Sequence, residues 1–376
     1  MRSIRLTFLC TAVALCVISC SEERFLAFDD VVYVKDFPVR YTPDKPDTLD
    51  IDAINIQGIE VFDELILISC HDSCGCLSAF GKDGKKISSS FLKTGRGPGE
   101  ILYNPFMSWL DFDRNPDGHI MAGMFDYKGN YIEYDVTGTL ESGIPTWRRI
   151  SDSHPISFGA RYFKIDDDNL ICRRRNANDN GYERFVENSA GEHYRNSAME
   201  YLNSVTSPEI NLLSTLFLVN KEKSLVVELG SRLNEINLYS LKSDFKTTIA
   251  LGNSLENLPE LEMKPEGEMS KTYYEAKSYD DFFVGLYLGT TLDDLDEGRF
   301  LEPELHFFSW DGKPLAEISL PVRSLFFDID LTDGRLYVVD YETEKILRYD
   351  ISEALNSSVF TRDLIYGVKA KRGTVN

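Results

Sequence analysis

The densest group of residues that could do chemistry lies at positions 70–76, which read CHDSCGC. Cys70 and Cys74 have the short spacing of a zinc-binding pair, and His71 and Cys76 could complete four ligands, but no second pair follows elsewhere. In an exported chain the same spacing favours a disulfide between Cys70 and Cys74. A disulfide, buried free thiols and a metal site all fit these residues. We expect the disulfide, and no metal.

Two further runs resemble ligand loops. Residues 95–100 (GRGPGE) lack the Gly-Lys-Ser/Thr of a phosphate loop, and their proline removes a backbone N–H that a phosphate would need. We expect a tight turn there, with Arg96 and Glu100 available to a ligand. Residues 113–118 (DRNPDG) imitate the start of a calcium loop, but Met124 stands where the bidentate acid belongs. A hairpin explains that run better.

Nucleophilic catalysis finds no support in the sequence. None of the histidines lies in a nucleophile elbow or a similar setting. The basic run at residues 173–175 suits either an exposed strand end or a carboxylate-binding patch. The histidines are His71, His119, His154, His193 and His306.

Charge excludes one class of partner. The chain has 376 residues and a formal net charge of −21, whereas nucleic-acid binding requires a basic surface. Hydrophobic residues make up 43% of the chain, which is enough for a substantial core. We therefore expect a folded protein that does not bind nucleic acid and that needs no cofactor.

The N-terminus predicts export and a lipid anchor. Two arginines precede an apolar run at residues 6–18 that is too short to span a bilayer, which is typical of a signal peptide over residues 1–19. The sequence VISC at residues 17–20 resembles a bacterial lipobox, which predicts acylation of Cys20. Residues 20–27 then form a short acidic tether. This pattern indicates an outer-membrane lipoprotein that faces the periplasm or the cell surface, with its acyl chains as the membrane contact.

The remainder of the chain repeats with a period near 53 residues. One series of turn-forming pairs recurs at intervals of 54, 51, 54, 58 and 53 residues, and a β-rich run follows each pair. A second series marks a later hairpin in each unit. Four short strands in each of six units predict an all-β fold, a six-bladed β-propeller over residues 28–376. The first series is Asp63-Glu64, Asp117-Gly118, Asp168-Asn169, Glu222-Lys223, Asp280-Asp281 and Asp333-Gly334, and the second is Asp83-Gly84, Thr137-Gly138, Ala190-Gly191, Ser243-Asp244 and Asp311-Gly312.

Closure of the ring should involve strand exchange between the chain termini. Residues 31–41 alternate apolar and polar side chains and could complete blade six as its outer strand, and residues 359–365 compete for that place. Residues 252–270 and 288–303 interrupt the repeat as long polar loops, and such loops often carry binding sites.

Taken with the lipobox, the GRGPGE block and blade units such as residues 308–314 (FSWDGKP) and 336–340 (LYVVD) resemble the TolB-like six-bladed β-propeller lipoproteins of Bacteroidetes. The resemblance covers roughly residues 20–370. It implies the propeller fold, and it implies no activity, because that family is functionally uncharacterised.

These observations favour a binding or interaction module for a glycan, peptide or protein partner. The alternative is a hydrolase or lyase with its active site at one mouth of the propeller channel, since fold does not choose between the two. From the period, we expect Arg96, Glu100, Arg161 and Arg323 to lie near the start of inner strands and at least two of them to line one open face of the channel as ligand contacts.

Overall fold

The structure is a computed structural model that describes residues 23–72, 75–97, 100–101, 110–151, 160–176 and 179–357. These described residues form 26 strands in six sheets. Blade one comprises β4 to β7, and each later blade takes the next strands in chain order. In that order the strands are β1 (Val31–Val34), β2 (Arg40–Tyr41), β3 (Asp47–Leu49), β4 (Ile56–Val61), β5 (Ile66–Asp72), β6 (Gly75–Phe80), β7 (Lys86–Phe91), β8 (Asp111–Arg114), β9 (Ile120–Phe125), β10 (Tyr131–Asp135), β11 (Thr146–Arg149), β12 (Arg161–Lys164), β13 (Asn169–Arg175), β14 (Tyr182–Asn188), β15 (His193–Tyr194), β16 (Thr215–Asn220), β17 (Leu225–Gly230), β18 (Glu235–Ser240), β19 (Lys246–Leu251), β20 (Ser270–Ser278), β21 (Phe282–Thr291), β22 (Glu304–Ser309), β23 (Pro314–Ser319), β24 (Ser324–Asp330), β25 (Arg335–Asp340) and β26 (Ile346–Asp350).

The arrangement confirms the predicted six-bladed β-propeller. In every blade, consecutive strands pair antiparallel, and the first strand lies at one edge of the sheet. The first strands of neighbouring blades contact one another, for example β24 with β4 and β16 with β20, so they surround the central axis. We call β4, β8, β12, β16, β20 and β24 the inner strands.

Apolar packing between blades holds the ring together. The buried side chains form six clusters, and each cluster lies between two neighbouring blades. In the cluster between blades four and five, for example, Phe283 and Phe308 of blade five stack with ring centroids 5.5 Å apart and share the cluster with Leu229 of blade four, and all three are fully buried. A blade's two faces are therefore both covered by its neighbours, which is how a propeller buries sheets of only four strands.

Strand exchange between the chain termini closes the ring as predicted, but a different segment supplies the strand. The fourth strand of blade six is β3, which pairs antiparallel with β26 in the register Leu49↔Ile346. The prediction that residues 31–41 complete blade six was wrong: β1 adds in parallel to β19 of blade four, and β2 adds in parallel to β23 of blade five. The alternation of residues 31–41 suits an edge strand anywhere, so it could not specify which edge. Residues 359–365 lie outside the described residues.

The chain that precedes β1 packs on blade four. Leu26 and Phe28 are each 2% exposed, and the Phe28 N–H donates to Thr248 Oγ1 at 2.7 Å. Arg24 forms an ion pair with Glu262 at 2.7 Å. Residues 24–27, which the sequence predicts as part of the tether, therefore lie against the propeller.

The hairpin predictions agree with the structure except in blade two. There, Thr137-Gly138 begins no hairpin but lies in helix α1 (Val136–Ser142), because Asp135 caps the helix by accepting from the Gly138 N–H at 2.7 Å. Gly143, at φ 70°, ends it. The predicted hairpin at residues 113–118 joins β8 to β9, and Asn115 Oδ1 accepts from two N–H groups within it.

The other described helices lie in loops between strands and in the segment after β26. None of the described helices is long and apolar enough to cross a membrane. They are α2 (Ser197–Ser204), α3 (Leu258–Leu261), α4 (Leu292–Asp296) and α5 (Ser352–Leu355), with a 3₁₀ turn at Glu266–Glu268.

Candidate functional site

The two open faces of the ring differ in how they are built. Because paired strands are antiparallel, the hairpins that follow the inner strands all lie on one face, here called the hairpin face. The connections that enter the inner strands lie on the opposite face, here called the entry face. A cavity of about 510 Å³ opens on the hairpin face, and all six inner strands contribute to its lining. Its position on the axis makes it the candidate site.

The rim of this cavity is acidic. Four exposed carboxylates come from the hairpins of blades one, two, four and five, namely Asp63, Asp113, Glu222 and Asp280. Asp63 accepts from the Thr332 hydroxyl at 2.7 Å. Negative charge therefore surrounds the opening.

An aromatic pair lies beside the acidic rim. The rings of Phe62 and Phe112 meet edge to face at 5.8 Å, and the Arg114 guanidinium lies 5.7 Å from the Phe62 ring. Arg114 also forms an ion pair with Glu64 at 2.9 Å. The charge of this rim cation is thus already matched by an acid.

Below the rim, the buried ammonium group of Lys277 lies among several carboxyl groups. Lys277 Nζ donates to Glu60 Oε2 at 2.5 Å and to the Ile59 carbonyl at 2.9 Å. Burial raises the pKa of Glu60 to about 7 although Lys277 opposes the shift, and the charge of Asp328 raises it further. Burial likewise raises the pKa of Glu275, which precedes Lys277 by two residues on β20 but does not line the cavity, to about 7. Among the lining acids, Glu60 therefore has a pKa near neutrality.

Asp328 joins blades five, six and one. Its carboxylate accepts from the Val61 N–H at 2.6 Å, from the Tyr279 hydroxyl at 2.7 Å and from the Ile329 N–H at 2.8 Å. The side chain is 3% exposed, and burial raises its pKa. Tyr279 has a pKa well above its usual value, first through burial and then through the Asp328 charge.

Asp111 likewise joins blades two, three and four on the other side of the ring. It accepts from the Lys164 N–H of blade three at 2.8 Å and lies 3.0 Å from Lys221 Nζ of blade four. Burial raises the pKa of Asp111, while the acids around Lys221 raise the pKa of that ammonium against the effect of burial. Lys221 also contacts Asp113 at 2.9 Å, which ties the deep layer to the rim.

The four residues predicted from the period do not line this cavity. All four precede or begin an inner strand, so they belong to the entry face. Arg323 pairs with Glu342 and lies 5.5 Å from the rings of Phe300 and Tyr341.

The other three predicted residues also stay on the entry face. Arg161 is the first residue of β12, and burial together with the charge of Arg173 lowers its pKa to about 9. Arg96 is exposed, and Glu100 accepts from the Gly97 N–H of its own turn at 2.6 Å. Their role in ligand binding stays a prediction.

The cysteine cluster is described in part. Cys70 is buried in β5, with its sulfur 3.7 Å from Ser78 Oγ, and Cys76 is buried in β6. Burial raises the pKa of the Cys76 thiol to about 12. Cys74 lies outside the described residues, so the Cys70–Cys74 disulfide stays a prediction.

Comparison with known proteins gives likenesses among solved structures only. No protein-family model matches the chain, and no curated protein matches it. Among solved structures, the chain is similar to a protein of Bacteroides fragilis NCTC 9343 that is named as exported. The alignment covers 85% of this chain and 98% of that chain, with 13% sequence identity and a TM-score of 0.46.

Proposed function

We propose that this chain is a binding module whose partner inserts a positively charged segment, bearing lysine or arginine, into the mouth on the hairpin face. One observation carries the proposal: acids outnumber bases in the lining, and each base is already ion-paired. Lys277 pairs with Glu60, Lys221 with Asp111 and Asp113, and Arg114 with Glu64. The acids of the lining are Glu60, Asp63, Asp111, Asp113, Glu222, Asp280, Asp328 and Asp330.

The rim is suited to such a partner in two ways. Exposed carboxylates attract a cation over a distance, and the net charge of −21 adds to that field. Phe62 and Phe112 line the same opening, and aromatic rings attract ammonium and guanidinium groups. A peptide or protein segment is therefore favoured over a neutral glycan.

The probe for this proposal is the peptide trilysine, titrated into the protein by calorimetry at low salt. The variant Asp63→Asn/Asp280→Asn should weaken binding several-fold, since an exposed ion pair contributes up to about 1 kcal/mol. The matched control Asp52→Asn/Glu200→Gln removes two exposed acids far from the mouth and should bind as wild type does. Equal weakening in both variants would show a non-specific charge effect and refute the proposal, and so would binding of a neutral oligosaccharide in place of trilysine.

We further propose that the protein is exported, acylated at Cys20 and held at the outer membrane as a TolB-like propeller lipoprotein. The lipobox and the six-bladed architecture support this assignment. Arg24 contacts Glu262, so only three residues separate Cys20 from a packed position, and the four steps from Cys20 to Arg24 reach about 14 Å at full extension. The edge of blade four would then lie close to the membrane, on the periplasmic or the outer side.

A hydrolase or lyase is the second candidate, and Glu60 favours it. A carboxyl with a pKa of about 7 can donate and accept a proton at neutral pH, and Glu60 lines the cavity. The variant Glu60→Gln distinguishes an enzyme from a binding module. An enzyme would lose turnover of its oligosaccharide or peptide substrate in this variant, whereas a binding module would show no turnover in wild type either.

A further inference from the structure

Three side chains with metal-binding atoms share one face of blade five, away from the channel mouth. Glu304 and His306 are two residues apart on β22, so their side chains point to the same side of the sheet. Glu317 lies directly across from His306 on β23. One ligand atom from each residue lies within 4.8 Å of the other two, and His306 Nε2 is 3.1 Å from Glu304 Oε2.

The imidazole is held in place from its other side. The Tyr273 hydroxyl lies 3.0 Å from His306 Nδ1, and a hydroxyl can donate to one tautomer and accept from the other. The histidine can therefore move its proton to Nδ1 and free Nε2 for a metal. The rings of Phe37 and Tyr287 each lie 4.7 Å from the imidazole and fix its plane. Such support of the nitrogen that does not bind is a regular feature of metal-binding histidines.

The carboxylates leave a route for the ion to enter. The side chain of Glu304 is 38% exposed, that of Glu317 is 14% exposed and that of His306 is 5% exposed. Arg40 of β2 lies 3.5 Å from Glu317 Oε1, and its own side chain is 59% exposed. Arg40 thus neutralises one carboxylate from the solvent side, and it can swing outward when a cation takes its place.

We propose that Glu304, His306 and Glu317 form a zinc-binding site, with water as the fourth ligand. Two carboxylates and one imidazole are ligands that Zn²⁺ accepts, and three protein ligands with an open position are typical of non-structural zinc sites. Carboxylate oxygens and an imidazole nitrogen bind Zn²⁺ at about 2.0–2.2 Å, so small rotations of the side chains close the site. Spacing alone does not predict it, because Glu317 reaches His306 only through the pairing of β22 with β23. This proposal is independent of the channel mouth.

The test is calorimetric titration of Zn²⁺ into the full chain after chelator treatment, with no affinity tag. Wild type should bind one equivalent, and Glu304→Gln and Glu317→Gln should each weaken binding about tenfold or more. The matched control Glu302→Gln neutralises an exposed acid two residues before β22 and should bind as wild type does. No binding by wild type at about 100 µM zinc would overturn the proposal, and so would unchanged binding in both ligand variants.

Arg40→Gln gives a second, opposite readout. Removing the cation beside Glu317 should tighten zinc binding several-fold, because the ion no longer competes with the guanidinium. A role for these acids in stability alone gives no such gain. Weaker or unchanged binding in Arg40→Gln would contradict the proposed ligand set, provided circular dichroism shows that the variant is folded.

Discussion

At the scale of single residues, two buried aspartates hold neighbouring inner strands together. Asp328 accepts the Val61 N–H of the next blade, and Asp111 accepts the Lys164 N–H of its next blade. An inner strand has no neighbouring strand on one side. Each carboxylate supplies the hydrogen-bond acceptor that such a neighbour would provide. A charged group is retained there because each has several donors, which offsets the cost of burial.

Asp328→Asn should destabilise the fold by about 2–3 kcal/mol. The amide turns one acceptor into a donor, which leaves a buried N–H of Val61 or Ile329 without a partner. Urea denaturation measures the change. Asp333→Asn, whose side chain is 62% exposed, is the control and should stay within about 0.5 kcal/mol of wild type. Equal effects in the two variants would contradict the role given to Asp328.

Glu60 should make stability depend on pH. Its pKa rises from an ordinary 4.5 to about 7 on folding, so between these values the folded protein keeps a proton that the unfolded chain has lost. The stabilising contribution is therefore complete below pH 4.5 and is lost as the pH rises through 7. Between pH 5 and 7.5 the free energy of unfolding should fall less in Glu60→Gln than in wild type. Glu200→Gln should follow wild type, and a steeper fall in Glu60→Gln would rule out this account.

At the scale of elements, the hairpins and the exchange of a terminal strand could be predicted, whereas the identity of the exchanged strand could not. Turn pairs such as Asp311-Gly312 set a local conformation, and Gly312 adopts φ 85° as such a turn requires. The hairpin predicted at Thr137-Gly138 was wrong because the capping carboxylate of Asp135 favours a helix there. Closure by β3 depends on which sheet edge lies unpaired beside it in the folded protein. The three residues of β3 are too few for an alternation pattern that would predict this pairing.

The sequence analysis had already singled out rim acids of the candidate site, but as turn residues of the repeat. Asp63, Glu222 and Asp280 belong to the turn pairs that defined the repeat. Since all these turns follow inner strands, they must meet on one face. Their acidity could therefore have indicated the mouth. The buried partners could not be found in this way, because the approach of Lys277 to Glu60 depends on packing between blades.

Leu49 of β3 should stabilise the closure of the ring through its packing between blades. It is 7% exposed in β3 and packs in the cluster between blades six and one. Leu49→Ala should cost about 3 kcal/mol and lower the melting temperature. Ile54→Ala removes an apolar side chain that is 75% exposed and should change little. If thermal denaturation gives equal shifts for the two variants, β3 does not close the ring.

At the scale of the whole molecule, the proposed anchor depends on one thiol. Cys20→Ser should abolish acylation, because the diacylglyceryl group is attached through sulfur. In detergent phase separation the wild-type protein should enter the detergent phase and the variant the aqueous phase, with a matching loss of mass. Cys76→Ser is the control for loss of a thiol. A Cys20→Ser protein that keeps its mass and its detergent partition would refute the anchor.

The central claim is that the acidic mouth on the hairpin face holds a positively charged partner. A crystal structure of the protein grown with trilysine tests it most directly. The account predicts an ammonium group between the rim carboxylates Asp63 and Asp280, above the ion pair of Lys277 with Glu60. Trilysine bound instead at the entry face, beside Arg161 and Arg323, or no peptide at the mouth when calorimetry shows binding, would contradict it.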